Sequence, residues 1–386
     1  MKKIRVALIG TGFAGRFHIE CLRKVYGSDI EIAGVTSLHE QSRREFGRKH
    51  NIRVYDGAEA MIADADMIDI CSPPYTHYDF ISLAAKAGKA IICEKPLSGF
   101  FTDDGENCCR EKMFDDVMKN LAALKTTVKE SGIFLGYAEN FVYTPSIQKE
   151  REIITKTGSQ ILRMTGEESH NGSASDVYGI WKYSGGGSLI GKGVHPLGGM
   201  LYLKRVEGIA RSGKPIRPRT VSARTHKLTR LENYQDKGFI RTDYKDVEDY
   251  GFMHITFEDG TVADVITSEV VLGGIYDYVE VFANNHRTRC SISPVHIADT
   301  YNPRNTNYND IYTIEKCSTK EGWSPAASDE NFTMGYQPQI QDFIDSFAKG
   351  ISPQSDIDLA VDTTAAVYAA YLSDQNNGIE TQIPNL

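Results

Sequence analysis

The chain has 386 residues, of which 41% are hydrophobic and 24% are charged, and its formal net charge is −8. This length exceeds the roughly 250–300 residues at which a single hydrophobic core stops growing, so we expect two domains. The acidic balance argues against nucleic acid or an anionic membrane as a partner, because either would require a basic surface.

Other features of the whole chain predict a reduced, cytoplasmic protein. The start MKKIRVALIGTG differs from a signal peptide, because its apolar run is short and enters a glycine loop. No stretch reaches the ~20 apolar residues of a membrane span. The seven cysteines are an odd number without C-x-x-C spacing, which is typical of reduced thiols. A metal or redox site at Cys108 and Cys109 is the weaker interpretation, since no further ligand is nearby.

Short Val- and Ile-rich runs alternate with helical stretches in the first third of the chain. The runs end in small or polar residues, as buried parallel strands do. The predicted strands are residues 4–10, 31–37, 67–73, 89–94 and 132–138, and the predicted helices are 14–26, 39–50 and 76–88. This βαβ repeat predicts a doubly wound parallel sheet, a Rossmann domain that we assign to residues 1–139.

From residue 140 the pattern changes to alternating apolar and polar residues, with a hairpin signal, EDGT, at 258–261. Two helical segments, 337–349 and 357–374, close the chain. Residues 140–386 are therefore predicted to form a second α/β domain with a large open, mostly antiparallel sheet. The polar segment 99–116 is long for a strand-to-helix connection and is either a binding lid or a surface insertion.

The first predicted strand leads into the glycine loop GTGFAG, residues 10–15. Gly10 allows a tight turn, Gly12 allows a pyrophosphate to approach the backbone, and Gly15 allows close packing of helix on strand. The helix N-terminus then offers free N–H groups to phosphates. The loop predicts dinucleotide binding by Gly10, Thr11, Gly12, Phe13, Ala14 and Gly15. A glycine turn of the methyltransferase type, or a merely structural one, is the alternative.

The second strand ends without the carboxylate that commonly binds the adenosine ribose of NAD. Ser37 stands there, and its hydroxyl would tolerate a ribose or a 2′-phosphate. Arg43 and Arg44, on the following helix, either serve NADP or lie on a solvated face. We favour NAD as the cofactor and leave NADP open.

Several motifs together are similar to those of a known family. They are the Gly10 loop, Ser72-Pro73-Pro74 with His77, Glu94-Lys95-Pro96, GYAENFVYTP (136–145), GGGSLIGKGVHPLG (185–198) and DFIDSFAKGISP (342–353). The chain resembles the Gfo/Idh/MocA family, the glucose-fructose oxidoreductase and inositol dehydrogenase type, over nearly its whole length. The resemblance implies hydride transfer between a nicotinamide and a sugar or cyclitol hydroxyl. It also implies a homo-oligomer assembled through the open sheet.

The resemblance also implies roles for two residues, because Lys95 matches the family's catalytic lysine and His195 its catalytic histidine. The position four before the histidine is an aspartate in most members but Gly191 here, and Lys192 beside it would compensate. Lys95 follows a strand end that borders the ligand crevice. Burial and a cationic nicotinamide would lower the pKa of Lys95 and let it carry the hydroxyl proton. His195 is the other candidate base, and the sequence leaves the choice open.

Further residues lie in segments that the family points toward its site. The predicted substrate contacts are Lys95, Tyr143, His170, Asn171, Lys192 and His195. The predicted cofactor contacts beyond the glycine loop are Ser37, Ser72, Pro73, Pro74, His77, Glu94, Lys95, Trp181 and Lys182, with Trp181 equally compatible with a core position. The remaining histidines, His226, His254, His286 and His296, share no spacing, so we predict no metal site.

Three functions remain open at this point. The first is an NAD(P)-dependent dehydrogenase acting on a sugar or glycoside hydroxyl, with the 3-position favoured by the resemblance to glycoside 3-oxidases. The second is an NAD-dependent glycosidase, since transient oxidation at the 3-position acidifies the neighbouring C–H and permits elimination. The third is a sugar or dinucleotide sensor without catalysis, which the presence of Lys95 and His195 disfavours.

Overall fold

The computed structural model describes residues 3–173, 175–294, 298–317 and 319–386, so His296 lies outside the described residues. The N-terminal part contains a five-stranded sheet of order β2-β1-β3-β4-β5, in which every pair is parallel. Its strands are β1 (Lys3–Ile9), β2 (Asp29–Thr36), β3 (Met67–Ile70), β4 (Ala90–Glu94) and β5 (Leu135–Ala138). The predicted doubly wound sheet is confirmed, with each strand close to its predicted position.

Helices cover both faces of this sheet. They are α1 (Phe13–Leu22), α2 (Glu40–His50), α3 (Ala58–Ala63), α4 (His77–Lys86) and α5 (Arg110–Ser131). The segment 99–116 is shorter as a loop than predicted, because α5 begins at Arg110. The loop itself packs on the C-terminal part of the chain: the backbone N–H of Phe100 donates to the Tyr368 hydroxyl (2.8 Å), and Glu106 pairs with Lys227.

The C-terminal part contains a seven-stranded sheet of order β11-β10-β6-β9-β8-β7-β14. Its strands are β6 (Ile161–Ser169), β7 (Pro218–His226), β8 (Tyr250–Phe257), β9 (Val262–Ser268), β10 (Tyr276–Ala283), β11 (Arg287–Ser291) and β14 (Thr381–Gln382). Only β6 and β9 pair in parallel among these strands, so the predicted open, mostly antiparallel sheet is confirmed. Strands β12 (Asp299–Asn302) and β13 (Gly322–Pro325) form a separate ribbon.

The remaining helices are α6 (Pro145–Thr157), α7 (Trp181–Ser184), α8 (Val194–Ser212), α9 (Glu330–Thr333), α10 (Tyr336–Lys349) and α11 (Ile357–Gln375). Three of them, α6, α8 and α11, pack on the large sheet, and α10 and α11 also contact helices of the first sheet. Helix α8 lies so close to β6 that a Cβ on Gly166 would be 2.6 Å from the Met200 side chain. Helix α10 packs on α1, and α11 packs on both β7 and α5. The domain boundary at residue 139 remains a prediction.

The other face of the large sheet is partly open. Along β8, Met253 and Ile255 are buried under the helices, whereas Phe252 and His254 on the opposite face are half-exposed.

All seven cysteines are free thiols. Within the described residues, no helix combines the length and the apolar character that a bilayer crossing demands.

Candidate active site

The glycine loop lies between β1 and α1 in a conformation that only glycine tolerates. Gly10 has φ +118°, and a Cβ on it would lie 2.5 Å from the Cys71 carbonyl oxygen. A Cβ on Gly15 would lie 2.5 Å from the Gly10 carbonyl oxygen, whereas Gly12 borders open space. Helix α1 starts at Phe13 without a side-chain cap, so the exposed loop leaves backbone N–H groups for an anion. This cradle fits the pyrophosphate of a dinucleotide.

The end of β2, where the adenosine ribose is expected, is lined by hydroxyls. Thr11 Oγ1 donates to Ser37 Oγ (3.0 Å) and also hydrogen-bonds with Ser42 Oγ (2.7 Å). Arg43 is buried and donates to the Ser37 carbonyl (3.3 Å) and to Asp56 (3.1 Å). Arg44 forms an exposed pair with Glu40 (2.7 Å). Both arginines therefore have carboxylate partners, and we expect a 2′-phosphate to lack a strong cationic contact.

Leu38 offers a direct test of cofactor choice, because it follows Ser37 and is 81% exposed. Leu38→Arg is expected to lower the Kd for NADP about tenfold or more, since an arginine–phosphate pair contributes about 1.5–3 kcal/mol. Leu38→Gln, which adds no charge, should leave that Kd unchanged. Isothermal titration with NAD and NADP measures both. A parent protein that binds NADP as tightly as NAD would contradict this assignment.

The turn after β3 lies beside the glycine loop, where a Cβ on Gly10 would meet the backbone of Cys71 and Ser72. Ser72 Oγ hydrogen-bonds with Thr76 (2.6 Å), Pro73 is extended, and Pro74 opens a 3-10 turn that leads into α4. The ring of His77 points into the protein interior and not toward the glycine loop. It is fully buried, with Nδ1 2.7 Å from the Pro96 carbonyl and Nε2 2.8 Å from the Ser72 carbonyl. These contacts tie the turn to the loop after Lys95, and burial lowers the pKa of His77.

A buried charge bridge lies beneath Lys95 and was not predicted from the sequence. His18 Nδ1 is 2.9 Å from both carboxylate oxygens of Asp69, and His18 Nε2 is 3.0 Å from Glu94 Oε1. Both ring nitrogens thus face acceptors, as an imidazolium requires. Burial lowers the pKa of His18, but Asp69 outweighs it and holds that pKa well above its usual range. Glu94 Oε2 accepts the Lys95 backbone N–H (3.0 Å), so the bridge joins α1, β3 and β4.

The charge bridge also contains the one close group of metal-type ligands among the described residues, His18, Asp69 and Cys71. Cys71 Sγ donates to Asp69 Oδ1 (3.3 Å), so hydrogen bonds within the group satisfy its members. Burial raises the pKa of Glu94, but His18 and Lys95 outweigh this effect and that pKa is lowered. Glu94 is therefore an ionised, structural carboxylate.

Lys95 extends from the end of β4 to the segment that precedes His195. Its Nζ donates to the Gly191 carbonyl (2.7 Å) and lies 5.2 Å from the centre of the Tyr178 ring. Burial lowers the pKa of Lys95, but Tyr178 and Glu168 outweigh burial and the pKa is raised. The expectation of a lowered Lys95 pKa is thus wrong for the protein alone, because buried acidic side chains surround the ammonium group.

His195 lies in the first turn of α8, which continues a π-helical turn at Leu189–Gly193. Its Nδ1 is 2.8 Å from Glu139 Oε1, and its ring stacks on Phe141 with centroids 5.4 Å apart. Burial lowers the pKa of His195 to about 4, although Glu168 opposes this shift. Burial raises the pKa of Glu139 well above its usual range. His195 is therefore a neutral imidazole at neutral pH.

Two more carboxylates, those of Glu168 and Glu269, lie near His195 and Lys192. Glu269 pairs with Lys192, and it also accepts from the Tyr244 hydroxyl (3.0 Å) and the Ser173 N–H (3.0 Å). Lys192 is thus held within this network. Glu168 Oε2 lies 3.9 Å from His195 Nε2. Glu168 and Glu269 were not predicted from the sequence, although Glu168 is near the end of β6 and Glu269 directly follows β9.

The structure brings Lys95, Lys192 and His195 together, since Lys95 contacts Gly191, one turn before His195. His170 lies beside this group. Its Nδ1 accepts the Gly172 N–H (3.2 Å), and burial and Lys192 lower its pKa well below the usual range. Asn171 is farther along the same loop, where its side chain donates to the Phe239 carbonyl (3.4 Å).

Three other predicted residues are held elsewhere. Tyr143 is buried, and its hydroxyl donates to Asp342 (2.9 Å) and accepts from the Ser355 N–H (3.0 Å). Trp181 is 1% exposed, with Nε1 donating to the Phe100 carbonyl (2.9 Å). These bonds and the burial of both side chains place the two aromatic rings in the core. Lys182 forms a surface pair with Asp103 (2.6 Å) beside an open cavity of about 410 Å³ whose lining does not include Lys95 or His195.

Comparisons with known proteins agree with the fold. Residues 4–108 match the family model of the GFO_IDH_MocA oxidoreductases, described as an NAD-binding Rossmann fold. The chain is 30% identical over 151 residues to D-apiose dehydrogenase of Paraburkholderia graminis, covering 38% of this chain and 35% of the relative. It is 25% identical over 209 residues to D-glucoside 3-dehydrogenase of Escherichia coli K12, covering 52% of this chain and 54% of the relative.

The matched region spans about half or less of the length of these two relatives. The crystal structure of GenD2 from gentamicin A biosynthesis, in complex with NAD, has a similar fold throughout. Its TM-score is 0.78 at 20% identity, with 100% of this chain and 97% of that chain covered. The N-terminal part of the chain is thus similar to the NAD-binding Rossmann domain of the Gfo/Idh/MocA oxidoreductases, over residues 4–108.

Proposed function

We propose that the protein is an NAD-dependent dehydrogenase that oxidises a secondary hydroxyl of a sugar or glycoside, with preference for the 3-position. The observation that carries this proposal is the meeting of a charged amine and a neutral imidazole at the carboxyl edge of the first sheet. Lys95 contacts Gly191, and His195 follows one turn later. The match to a D-glucoside 3-dehydrogenase supports the choice of substrate and position.

The residues that would hold NAD are those of the glycine loop, the Ser37 region and the Ser72–Pro74 turn. Gly12 leaves space for the pyrophosphate, and Ser37 offers a hydroxyl to the ribose. When bound, NAD supplies a nicotinamide that accepts hydride. Glu94 holds the backbone of Lys95 beside this cleft rather than taking part in proton transfer, because both its oxygens already accept hydrogen bonds.

We assign His195 as the base that removes the hydroxyl proton. Its Nδ1 is occupied by Glu139, which leaves Nε2 as the atom that accepts the proton. Glu139 Oε1, which also accepts the Phe141 N–H, keeps Nδ1 engaged and the ring oriented, and the carbinol hydrogen leaves as hydride. Lys95 remains positive, since its pKa is raised, and stabilises the developing alkoxide. The hydroxyl proton thus goes to His195, whereas the hydride goes to the nicotinamide.

The function is tested with a panel of nitrophenyl glycosides and free cyclitols, supplied with NAD. The dehydrogenase is expected to form NADH and a keto-glycoside in equal amounts without releasing nitrophenol. Release of nitrophenol without net NADH would instead indicate the glycosidase. Tight binding of NAD without reduction by any substrate would favour the sensor.

We also propose that the chain forms a homo-oligomer through the open face of the large sheet. This face carries half-exposed apolar side chains, including Phe252, Ile266 and Tyr278, which a partner sheet would cover. Light scattering is expected to give a multiple of the chain mass, and the mass of one chain would contradict the proposal.

A further inference from the structure

Strand β6 directs two adjacent glutamates to opposite faces of the large sheet. Side chains alternate along a strand, so Glu168 shares a face with Gly166, whereas Glu167 points to the open face. A Cβ on Gly166 would touch Pro196 at 3.2 Å, which identifies this as the face covered by α8. Glu168 therefore points toward the start of α8, where His195 lies.

The carboxylate of Glu168 has an unsatisfied oxygen at this place. Glu168 Oε2 is buried and has no hydrogen-bond partner among the described residues. The side chain of Glu168 is 12% exposed, and its Oε2 is 3.9 Å from His195 Nε2, which is too long for a hydrogen bond. A buried acceptor without a donor is unusual in a native structure and calls for a missing partner.

The surroundings of Glu168 favour a hydroxyl donor as that partner. Three basic side chains act on the carboxylate, namely those of His195, Lys95 and Lys192. None of the three is hydrogen-bonded to it, because Lys95 is held by Gly191, Lys192 by Glu269 and His195 by Glu139. Burial raises the pKa of Glu168, and the three basic side chains oppose the shift. Oε2 thus receives a hydrogen bond from none of its basic neighbours, which leaves it free to accept one from a neutral donor.

We propose, building on the dehydrogenase function above, that Glu168 is a catalytic-site residue that binds the substrate hydroxyl next to the one being oxidised. The reacting hydroxyl donates to His195 Nε2, and its neighbour on the adjacent ring carbon donates to Glu168 Oε2. The oxygens of two neighbouring ring hydroxyls are separated by a distance comparable to the gap between these two acceptors. The site thereby selects a vicinal diol, which sugars and cyclitols present and simple secondary alcohols do not.

This arrangement predicts strong discrimination against a substrate that lacks the neighbouring hydroxyl. A substrate without that hydroxyl leaves the buried carboxylate of Glu168 without a partner, which lowers kcat/KM. Once the carboxylate is removed, the presence of the hydroxyl should have little effect on kcat/KM. The two changes should therefore not add, which a purely structural role for Glu168 would not produce.

The experiment compares the parent protein, Glu168→Gln and Glu167→Gln on the best glycoside and on its 2-deoxy and 4-deoxy analogues. The parent is expected to prefer the glycoside to one of these analogues by about 100-fold in kcat/KM. Glu168→Gln should lose about 100-fold on the glycoside and retain less than threefold preference over that analogue. Glu167→Gln, on the opposite face, should behave as the parent does, and all three proteins should bind NADH alike.

Three results would overturn the inference. The parent would show no preference for the glycoside over either deoxy analogue. Alternatively, Glu168→Gln would keep kcat/KM within tenfold of the parent value, or would keep the parent's preference for the glycoside. Glu168→Gln should fold, because Oε2 has no partner to lose. Glu168→Asp is the second variant, which withdraws the carboxylate by one methylene and should also lose at least tenfold. If the parent oxidises no polyol at all, the proposed function itself fails, which is distinct from failure of the assignment of Glu168.

Discussion

Replacing Lys95 by methionine is expected to lower kcat about 1,000-fold while leaving the Kd for NADH within threefold of the parent value. Methionine keeps much of the side-chain volume but removes the ammonium group that stabilises the alkoxide. Among the described residues, Lys95 Nζ hydrogen-bonds with the Gly191 carbonyl and not with the glycine loop or the Ser37 region, which are proposed to bind the dinucleotide. Steady-state kinetics and NADH fluorescence titration measure the two quantities separately.

Lys89→Met is the matched control for this experiment. Lys89 precedes β4 at its amino end, whereas Lys95 follows β4 at its carboxyl end, and Lys89 Nζ donates to the Ala65 carbonyl (2.7 Å). This variant should retain parental turnover, because the ligand crevice lies at the carboxyl ends of the strands. A Lys95→Met protein that oxidises substrate at the parental rate would show that the charge is supplied elsewhere.

Replacing His18 by glutamine is expected to reduce the free energy of unfolding by about 3 kcal/mol, because two buried carboxylates then lose the cation between them. The pKa of His18 is raised in the folded protein, so its contribution is complete below its unfolded pKa and is lost as the pH rises through the folded value. The pKa of Glu94 is lowered, so its contribution is present above its unfolded pKa and is lost as the pH falls.

The loss caused by His18→Gln should therefore be largest between about pH 4.5 and pH 6.5, the ordinary pKa values of the two groups. Urea unfolding across this range and at higher pH measures it. Arg44→Gln is the control, since it breaks only the exposed pair with Glu40 and should change stability by less than about 1 kcal/mol. An equal effect of the two substitutions would contradict a charged bridge at His18.

The local sequence pattern was sufficient to predict the positions of most strands of the first sheet, because these strands are apolar runs bounded by turns. It was insufficient for α5, whose buried residues Met113, Val117 and Leu121 follow a helical spacing that the polar segment before them obscures. Lys95 and His195 stood out because they match the catalytic lysine and histidine of the family that the sequence resembles, and because Lys95 follows a strand end that borders the ligand crevice. Their convergence through Gly191 depends on contacts 96 positions apart in the chain.

The carboxylates around these two residues show where sequence reasoning reached its limit. Glu139 follows β5 and Glu168 lies near the end of β6, yet only the packing of α8 decides that both face His195. His18 meets Asp69 and Glu94 across 51 and 76 positions. Trp181 and Tyr143 were predicted at the site but lie in the core. From the sequence alone, an aromatic ring near a predicted site is equally compatible with a ligand contact and with a core position. The hydrogen bonds of both residues with distant segments decide for the core.

The most direct test of the account is to follow the carbinol hydrogen itself. A glycoside deuterated at carbon 3 is incubated with the protein and NAD, and the products are analysed by mass spectrometry. Direct hydride transfer from carbon 3 to NAD predicts one deuterium in the reduced nicotinamide for each keto-glycoside formed. Deuterium lost to solvent, or reduced nicotinamide without deuterium, would contradict hydride transfer from that carbon.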